Sequence, residues 1–409
     1  MLFRHGIGET MMSFRKTLCV LSLVWMSLAV SAQTGDLEQR YNQQVRNRLD
    51  SLMGDTLLQT TQLGLMIWDL DADTTIYRKG ERQRLRPAST QKVITAVTAI
   101  DRLGGDYQFK TELRYTGEIV NRVLVGDVYC VGKFDPCFDT DDMNAFVESI
   151  KQLNVDTIRG HIYADKSAKD QNLLGEGWCW DDENPVLSPL LYQRQDRFVE
   201  TFMDRLHQQG IAIDVYSGTT PCPPNSLLLC RRVHTMDEVL LKMMKESDNL
   251  YAEAMFYQLD MIAGTYPATA KGSADVVKSL ITRLGQNANT FSVADGSGLS
   301  LYNYTTAELE VLMLRHASRN QWIDIHLRPS LPVAGLDGTL EKRMVNSPAK
   351  GNVRAKTGTV TGISSLAGYC TAPTGHRLCF SIINQGIKTM KVGRDFQDKV
   401  CEILCSKVK

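Results

Sequence analysis

The chain has 409 residues, of which 43% are hydrophobic, and this is enough apolar material for two or three folded domains. Lysine plus arginine and aspartate plus glutamate number 46 each, so no excess of charge indicates a nucleic-acid partner or an anionic membrane surface. The composition therefore indicates an ordinary folded protein and excludes a strongly basic nucleic-acid-binding protein.

The N-terminus has the pattern of a secretory signal. Arg15-Lys16 form a basic region, residues 17–28 an apolar run, and Val30-Ser31-Ala32 place small residues where a signal peptidase cuts. The run is too short to span a hydrocarbon layer of about 30 Å comfortably, which makes a retained anchor the weaker alternative. We therefore expect residues 1–32 to be removed and the mature chain to reach the periplasm without a stable membrane span.

Apolar periodicity and turn residues predict the elements of the mature chain. They are a helix over 33–58, a buried strand over 63–68, a helix over 89–100 that is apolar nearly all round, strands between about 107 and 165, a loop-rich piece around 178–182, helices over 236–259 and 306–316, strands over 364–371 and 377–384, and a C-terminal helix over 396–408. This mixture predicts an α/β (α+β) fold. We expect one helix-and-sheet domain, in two parts at 33–105 and 233–409, split by a β-rich insertion at 106–232.

Nine cysteines remain after cleavage, and an oxidising compartment permits disulfides, although an odd number leaves at least one thiol free or joined to another molecule. No cysteine pair has CxxC spacing and the histidines are scattered singly, so we expect neither a metal nor a cofactor. A two-residue turn at Thr374-Gly375 predicts that Cys370 and Cys379 face each other on adjacent strands, bonded or merely packed. Cys401 and Cys405 share a helix face but are poorly placed to bond to each other.

Three short motifs occur in order: Ser89-Thr90-Gln91-Lys92, Ser247-Asp248-Asn249 and Lys356-Thr357-Gly358. The S-x-x-K spacing is weak evidence by itself, because it occurs three more times in the chain, for example at Ser347. A serine that caps a helix and a lysine that reaches the surface explain most such pairs. Of the four serines, however, only Ser89 opens a helix that is apolar nearly all round.

The chemistry of serine nucleophiles favours Ser89 and Lys92. The two side chains lie one turn apart on one helix face, and serine attacks a carbonyl only when a neighbour accepts its proton. A lysine within an apolar helix loses hydration, and this lowers its pKa and allows it to act as that base. The N–H groups and the positive dipole end at the start of the helix suit a developing oxyanion.

Together the motifs are the signature shared by class A β-lactamases and penicillin-binding proteins. Longer stretches resemble the class C low-molecular-mass penicillin-binding proteins, the D-alanyl-D-alanine carboxypeptidase/endopeptidases of the penicillin-binding-protein-4 type. These stretches are RPAS at 86–89, SDNLYAE at 247–253, DGSGLS at 295–300, PVAGLDGTL at 332–340 and the segment 355–368. The resemblance covers most of 60–170 and 235–400, whereas the insertion is shorter than is usual in that family and 178–198 matches only loosely.

The resemblance implies a serine β-lactamase/DD-transpeptidase-like domain, an antiparallel sheet flanked by helices. It also implies a hydrolase that acts on peptidoglycan stem peptides ending in D-Ala-D-Ala and that β-lactams inhibit covalently. Ser89 would form an ester with the penultimate D-alanine, and Lys92 would be the base of that acylation. The backbone N–H groups of Ser89 and Thr359 would form the oxyanion hole.

The resemblance also implies roles for the second and third motifs. Ser247 would pass a proton toward the leaving amine, and Asn249 would hold Lys92 and the substrate amide. Lys356 would tune the electrostatics of that proton path. The positions implied to bind the substrate are Thr357, Gly358 and Thr359.

Two alternatives stay open. A serine β-lactamase uses the same acylation chemistry but needs a base for rapid deacylation, which class A enzymes supply as a glutamate between the second and third motifs. Glu253, Glu308 and Glu310 lie in that interval, but all three fall on predicted helices beside apolar residues. The other alternative is a non-catalytic peptidoglycan-binding protein on the same scaffold. A classical esterase is disfavoured because the chain has no G-x-S-x-G motif.

Overall fold

The computed structural model describes residues 35–180, 184–215, 218–264 and 266–408, and the signal sequence predicted for 1–32 lies outside them. The helices are 35–52 (α1), Gln91–Leu103 (α2), Thr140–Gln152 (α3), Phe198–Gln208 (α4), Met236–Lys245 (α5), Asn249–Ile262 (α6), Ala270–Arg283 (α7), Ala307–Arg319 (α8), Gln321–Ser330 (α9) and Met390–Cys405 (α10). Among the described residues, no helix combines the length and the apolarity needed to cross a membrane.

The strands occur in groups between these helices. They are Gln62–Asp69 (β1), Thr74–Lys79 (β2), Gln108–Tyr115 (β3), Glu118–Val120 (β4), Val123–Val125 (β5), Val128–Gly132 (β6), Thr157–Arg159 (β7), Ile162–Asp165 (β8), Ala212–Ile213 (β9), Gly218–Thr219 (β10), Leu227–Thr235 (β11), Arg354–Val360 (β12), Ile363–Thr371 (β13) and Arg377–Gln385 (β14).

The first sheet is antiparallel throughout and has the strand order β12-β13-β14-β1-β2. Helices α1 and α10 cover one face, where Tyr41 and Phe396 are buried against the sheet, and α8 packs against the other face. Strands β13 and β14 are therefore buried along almost their whole length. A helix layer on each side explains why apolar residues occupy successive positions in these strands, as in LAGYC of β13 and LCF of β14, rather than only alternate ones.

Helix α2 lies inside the helix layer, where it contacts α5, α6, α7, α8 and α9. Residues 91–100 are all buried. Full burial of a valine or isoleucine side chain stabilises the fold by roughly 1.5–3 kcal/mol, so Val93, Val97 and Ile100 hold this helix firmly in place. Any polar side chain on α2 is thereby withdrawn from water.

Two smaller sheets hold the strands between residues 108 and 235, in the orders β10-β8-β6-β3-β11 and β4-β5-β7-β9. Both contain parallel pairs, for example β6 with β8 and β5 with β7. Helices α3 and α4 pack here through a cluster of rings that includes Phe146, Phe198 and Phe202. The segment 106–232, which we expected to be a β-rich insertion, thus also contains two helices.

Helix α3 shows that the prediction of strands throughout 107–165 was wrong at its centre. Asp139 and Asp142 form a capping box at the start of the helix, and Met143, Phe146 and Ile150 are buried at helical spacing. The β-rich segments on both sides dominate the pattern of this region, so a helix with only one apolar stripe is easily overlooked.

The single helix predicted over 236–259 is in fact two helices. Helix α5 ends and α6 begins on either side of Ser247, whose φ of 63° is left-handed and cannot continue a helix. Asp248 caps α6, since its side chain accepts the backbone N–H of Tyr251 at 3.3 Å. Both helices bury one face, so the periodicity continues across the break and hides it.

The β13–β14 hairpin contradicts the predicted pairing of Cys370 with Cys379. Beyond the strands the Ala372 N–H donates to the His376 carbonyl at 2.8 Å, which leaves a turn of three residues rather than two, and the register pairs Cys370 with Leu378. Because successive side chains alternate, the two cysteines lie on opposite faces of the sheet. Cys370 is instead hydrogen-bonded to Cys405 on α10. The nine cysteines of the described residues are all free thiols.

Candidate active site

Ser89 lies in a short 3₁₀ turn, Ala88–Thr90, that leads directly into α2. The turn is held by its neighbours: the Ser365 hydroxyl donates to the Pro87 carbonyl at 2.5 Å, and the Thr90 hydroxyl lies 2.6 Å from a carboxylate oxygen of Glu310. No side chain caps this helix start by a hydrogen bond. Ser89 is therefore not the capping serine of an ordinary helix, and its hydroxyl faces the cleft.

The Lys92 ammonium lies fully buried beside Ser89 and has three hydrogen-bond acceptors. Nζ is 3.0 Å from Ser89 Oγ, 2.7 Å from Asn249 Oδ1 and 2.9 Å from the Ser297 carbonyl. Burial lowers the pKa of Lys92 to about 8, against the opposing effect of nearby carboxylates, of which Asp295 has the largest influence. The predicted proximity of serine and lysine is present, with a lysine that readily gives up its proton.

The second motif reaches the site because the break between α5 and α6 turns the chain there. Ser247 Oγ accepts a hydrogen bond from Lys356 Nζ at 2.7 Å, while Asn249 faces Lys92. Among the described residues, Asp248 makes no hydrogen bond to either lysine; its side chain caps α6 and forms an ion pair with Arg194. The left-handed φ of Ser247 thus directs the Ser247 side chain toward Lys356 and the Asn249 side chain toward Lys92.

The third motif lies on β12, the edge strand of the first sheet. Lys356 is completely buried, and burial first, followed by the charge of Lys92, holds its pKa well below the ordinary value. A Cβ on Gly358 would lie 2.0 Å from Ser365 Oγ and 3.0 Å from the backbone nitrogen of Ser89. Only glycine at this position lets the strand lie so close to the nucleophile.

A cavity of about 450 Å³ opens in front of these residues. Its walls include the two motif serines, two threonines of β12 and several charged side chains: Ser89, Ser247, Thr357, Thr359, Glu341, Lys342, Arg343 and Arg394. The structure therefore brings Ser89, Lys92, Ser247, Asn249 and Lys356 together at one cleft with the strand that carries Thr357–Thr359. The basic residues that line this cavity, Lys342, Arg343 and Arg394, were not identified from the sequence.

A buried polar network supports Lys92 and was also missed from the sequence. Glu253 on α6 accepts the backbone N–H of Ser297 at 2.8 Å and that of Gly296 at 3.1 Å, and so fixes the carbonyl that Lys92 bonds to. Burial, followed by the charge of the nearby Asp295, raises the pKa of Glu253 above its ordinary value. The DGSGLS segment at 295–300 is the only sequence signal that points to this network.

The loop before α4 is tied to the same segment. Trp178 Nε1 donates to Asp295 Oδ2 at 2.8 Å, and Ser300 Oγ donates to the Glu176 carbonyl at 2.6 Å. Residues 176–178 therefore contact the 295–300 segment, whose Ser297 carbonyl accepts a hydrogen bond from Lys92. The sequence of this loop carries no recognisable motif.

The three glutamates considered as deacylation bases are engaged elsewhere. Glu253 binds the backbone of 296–297, Glu308 pairs with Arg82, and Glu310 accepts the hydroxyls of Thr90 and Ser381 at 2.6 Å each. None of the three lines the cavity in front of Ser89. The arrangement gives no support to a class A type of deacylation by these residues.

A serine–lysine nucleophile at the start of a buried helix, facing an edge strand with a K-T-G motif, defines a serine hydrolase of the penicillin-interacting class. The D-Ala-D-Ala carboxypeptidase 3 (S13) family matches residues 45–191 and 191–407, and the chain belongs to this family. The predicted family is thereby confirmed, and the protein is a peptidase.

Named relatives agree with this assignment. The chain is 27% identical to a D-alanyl-D-alanine carboxypeptidase of Actinomadura sp. (strain R39), over 84% of this chain and 81% of that protein. It is 25% identical to the D-alanyl-D-alanine carboxypeptidase DacB of Haemophilus influenzae, over 74% of this chain and 81% of the relative.

Solved structures confirm the fold. Penicillin-binding protein 4 (dacB) of Haemophilus influenzae superposes with a TM-score of 0.78, covering 84% of this chain and 97% of that one at 23% identity. The structure of that protein in complex with a β-lactam gives a TM-score of 0.71 at 24% identity. The fold is therefore the serine β-lactamase/DD-transpeptidase-like α/β fold that the motifs predicted.

Proposed function

We propose that the protein is a serine-type D-alanyl-D-alanine carboxypeptidase/endopeptidase that hydrolyses peptidoglycan stem peptides through an acyl-enzyme on Ser89. The observation that carries the proposal is the position of Lys92 Nζ, 3.0 Å from Ser89 Oγ, with a pKa lowered to about 8 by burial. Membership of the S13 family and the names of the curated relatives support the substrate class.

The geometry supports a definite order of proton and bond changes in acylation. Lys92 Nζ accepts the Oγ proton as Ser89 attacks the carbonyl carbon of the penultimate D-alanine, and the carbonyl oxygen becomes an oxyanion beside the N–H groups of Ser89 and Thr359. The C–N bond then breaks, and the leaving amine takes a proton by way of the Ser247 hydroxyl. Water subsequently hydrolyses the ester and releases the shortened stem peptide.

The second and third motifs support the later part of this sequence. Lys356 donates to Ser247 at 2.7 Å, so a proton that leaves Ser247 can be replaced from a neighbour already in hydrogen-bond contact. Thr357 and Thr359 line the cavity and offer hydroxyl groups to the terminal carboxylate of the substrate. Because β12 is an edge strand, an extended stem peptide can add to it through main-chain hydrogen bonds.

The test is digestion of purified muropeptides, with the products resolved by mass. We expect loss of terminal D-alanine from monomers, cleavage of cross-linked dimers, or both, and labelling of the protein by a fluorescent penicillin. Ser89→Ala should abolish products and label together. The matched control is Ser347→Ala, which removes the serine of another S-x-x-K sequence lying outside the cavity lining.

The same experiment separates the two alternatives. A β-lactamase would turn over a chromogenic cephalosporin rapidly and leave muropeptides intact, whereas a non-catalytic wall-binding protein would neither be labelled at Ser89 nor form products. The β-lactamase alternative is not favoured, because the family and its named members are carboxypeptidases. Penicillin labelling without any muropeptide product would refute the proposed substrate.

We also propose that the protein acts in the periplasm after removal of residues 1–32. The support is the basic region, the apolar run and the small residues at 30–32. N-terminal sequencing of the protein secreted by a Gram-negative host should give Gln33 as the first residue. An uncleaved N-terminus on the exported protein would contradict this proposal.

The insertion is proposed to occupy residues 106–232. Its support is a hydrophobic cluster formed by residues between 113 and 230, separate from the two clusters that flank the first sheet. Limited proteolysis should cut first in the connections near 105 and 232 or within loops of the insertion. Early cuts inside α2 or β13 would contradict the proposed boundaries.

A further inference from the structure

A cluster of metal-binding side chains lies outside the cavity, where the turn after β6 meets the end of β11. Asp135, Cys137 and His234 each offer one ligand atom there, and the three atoms lie within 4.8 Å of one another. Cys137 and His234 are far apart in the sequence, and no CxxC or HxxxH spacing marks them. Folding alone brings these donors together.

The carboxylate of the cluster is held in place before any ion binds. The Asp135 side chain is fully buried, and its Oδ2 accepts a hydrogen bond from Nδ1 of His234 at 2.8 Å. Its other oxygen accepts the backbone N–H of Cys137 at 3.0 Å, which orients the turn that carries the thiol. Burial of a carboxylate is unfavourable unless a cation or hydrogen-bond donors compensate it, so this site favours positive charge.

The second nitrogen of His234 already has the partner that a metal-bound histidine commonly has. Nε2 lies 3.4 Å from Oδ2 of Asp142, whose side chain is itself held by Arg232 at 2.6 Å and by the backbone N–H of Asp139 at 3.0 Å. Histidine ligands usually donate their other N–H to such a carboxylate, which fixes the ring orientation. Nδ1 faces Asp135 and Cys137, and the proton that it donates to Asp135 would have to be released when Nδ1 binds an ion.

The thiol connects the cluster to the catalytic helices. Cys137 is hydrogen-bonded to the hydroxyl of Tyr251, which lies on α6 two residues after Asn249. An ion at Cys137 would therefore link the turn after β6 and the end of β11 to the helix that carries part of the second motif.

We propose that Asp135, Cys137 and His234 bind a zinc ion, with water as the fourth ligand. One sulfur, one nitrogen and one oxygen donor form a mixed set that suits Zn²⁺, whereas Mg²⁺ and Ca²⁺ prefer oxygen ligands alone. A thiolate and a carboxylate together balance the charge of a divalent cation. The site lies outside the cavity in front of Ser89, so the proposal does not depend on the proposed peptidase activity.

Cobalt titration tests the proposal on the unaltered protein. The metal-free mature protein, kept under reducing conditions, is titrated with Co²⁺ and followed by absorption, because a thiolate ligand gives an intense charge-transfer band in the near ultraviolet. We expect the band to saturate at one Co²⁺ per chain and to be abolished by one equivalent of Zn²⁺. Absence of stoichiometric binding, or binding without the thiolate band, would overturn the proposal.

Variants then locate the ion. Cys137→Ser and His234→Gln should each weaken binding by about a hundredfold or more and should remove the band in the case of Cys137. Cys222→Ser is the matched thiol control, and His376→Gln is the matched histidine control, since His376 belongs to a cluster with Glu38 and Asp69 that lacks sulfur. The circular dichroism spectrum and the thermal unfolding midpoint of each variant report that it is folded. Binding that survives Cys137→Ser but is lost in either control would overturn the assignment.

Discussion

The protonation of Lys92 determines how the acylation of Ser89 should depend on pH. Burial lowers the pKa of Lys92 to about 8, even though Asp295 and Glu253 act in the opposite direction. Only the neutral amine accepts the serine proton, so the second-order rate constant of acylation should follow the neutral fraction of Lys92. That fraction rises from about one tenth to about nine tenths between one pH unit below and one unit above the pKa, which is roughly a tenfold gain between about pH 7 and pH 9.

The assay is the rate of labelling by a fluorescent penicillin from about pH 6 to about pH 10, measured at limiting reagent. A plateau above about pH 9 is the expected result. A rate that still rises by roughly tenfold per unit between about pH 8 and about pH 10 would show that Lys92 has the pKa of an ordinary lysine. A flat profile would show that Lys92 is not the base, and either result would refute the reasoning.

A charge change beside Lys92 provides a stricter version of the test. Asn249 Oδ1 lies 2.7 Å from Nζ, so Asn249→Asp places a carboxylate at hydrogen-bond distance. The neighbouring charge should raise the pKa of Lys92 by about 1–3 units and move the midpoint of the profile upward by the same amount. Asn289→Asp, an exposed position, is the matched control and should leave the midpoint unchanged.

Two more predictions concern packing and stability. Gly358→Ala should slow acylation about a hundredfold, because a Cβ 2.0 Å from Ser365 Oγ pushes β12 away from Ser89 by about 1 Å. Gly35→Ala is the control, since a Cβ there meets nothing within 4 Å. An unchanged labelling rate for Gly358→Ala would contradict the prediction. Burial raises the pKa of Glu310 from 4.5 to about 7, so the folded state binds the extra proton and the free energy of unfolding should fall by roughly 3 kcal/mol as the pH rises across that window. Urea titrations at several pH values should show this fall, and Glu310→Gln should lack it; parallel pH dependence in both proteins would refute it.

The sequence predicted the fold where local pattern and tertiary environment agree. Helix α2 is buried over residues 91–100, so its nearly all-round apolar character indicated both its position and the dehydration of Lys92. Strands β13 and β14 were predicted within a residue or so at each end, because burial on both faces leaves largely apolar segments between turn residues. The motifs located the side chains that we propose to be catalytic because their spacing within a helix or strand is local.

Features that depend on distant contacts could not be predicted. The break at Ser247 arises from a backbone conformation that no periodicity reports, and the opposite faces of Cys370 and Cys379 follow from one additional residue in a loop. Glu253 was seen only as a glutamate on a helix, since nothing local reveals that the backbone of 296–297 would bury and bind it. Long-range hydrogen bonds of this kind are specified by the assembled fold.

The contact of residues 176–178 with the 295–300 segment has a consequence for how such enzymes can diverge. Trp178 binds the carboxylate of Asp295, and the same segment provides the Ser297 carbonyl that positions Lys92. A loop with no recognisable motif is therefore under the same geometric constraint as the nucleophile. A chimaera that exchanges the insertion between relatives should keep full activity only when residues 176–178 and 295–300 are transplanted together, as a single inherited module.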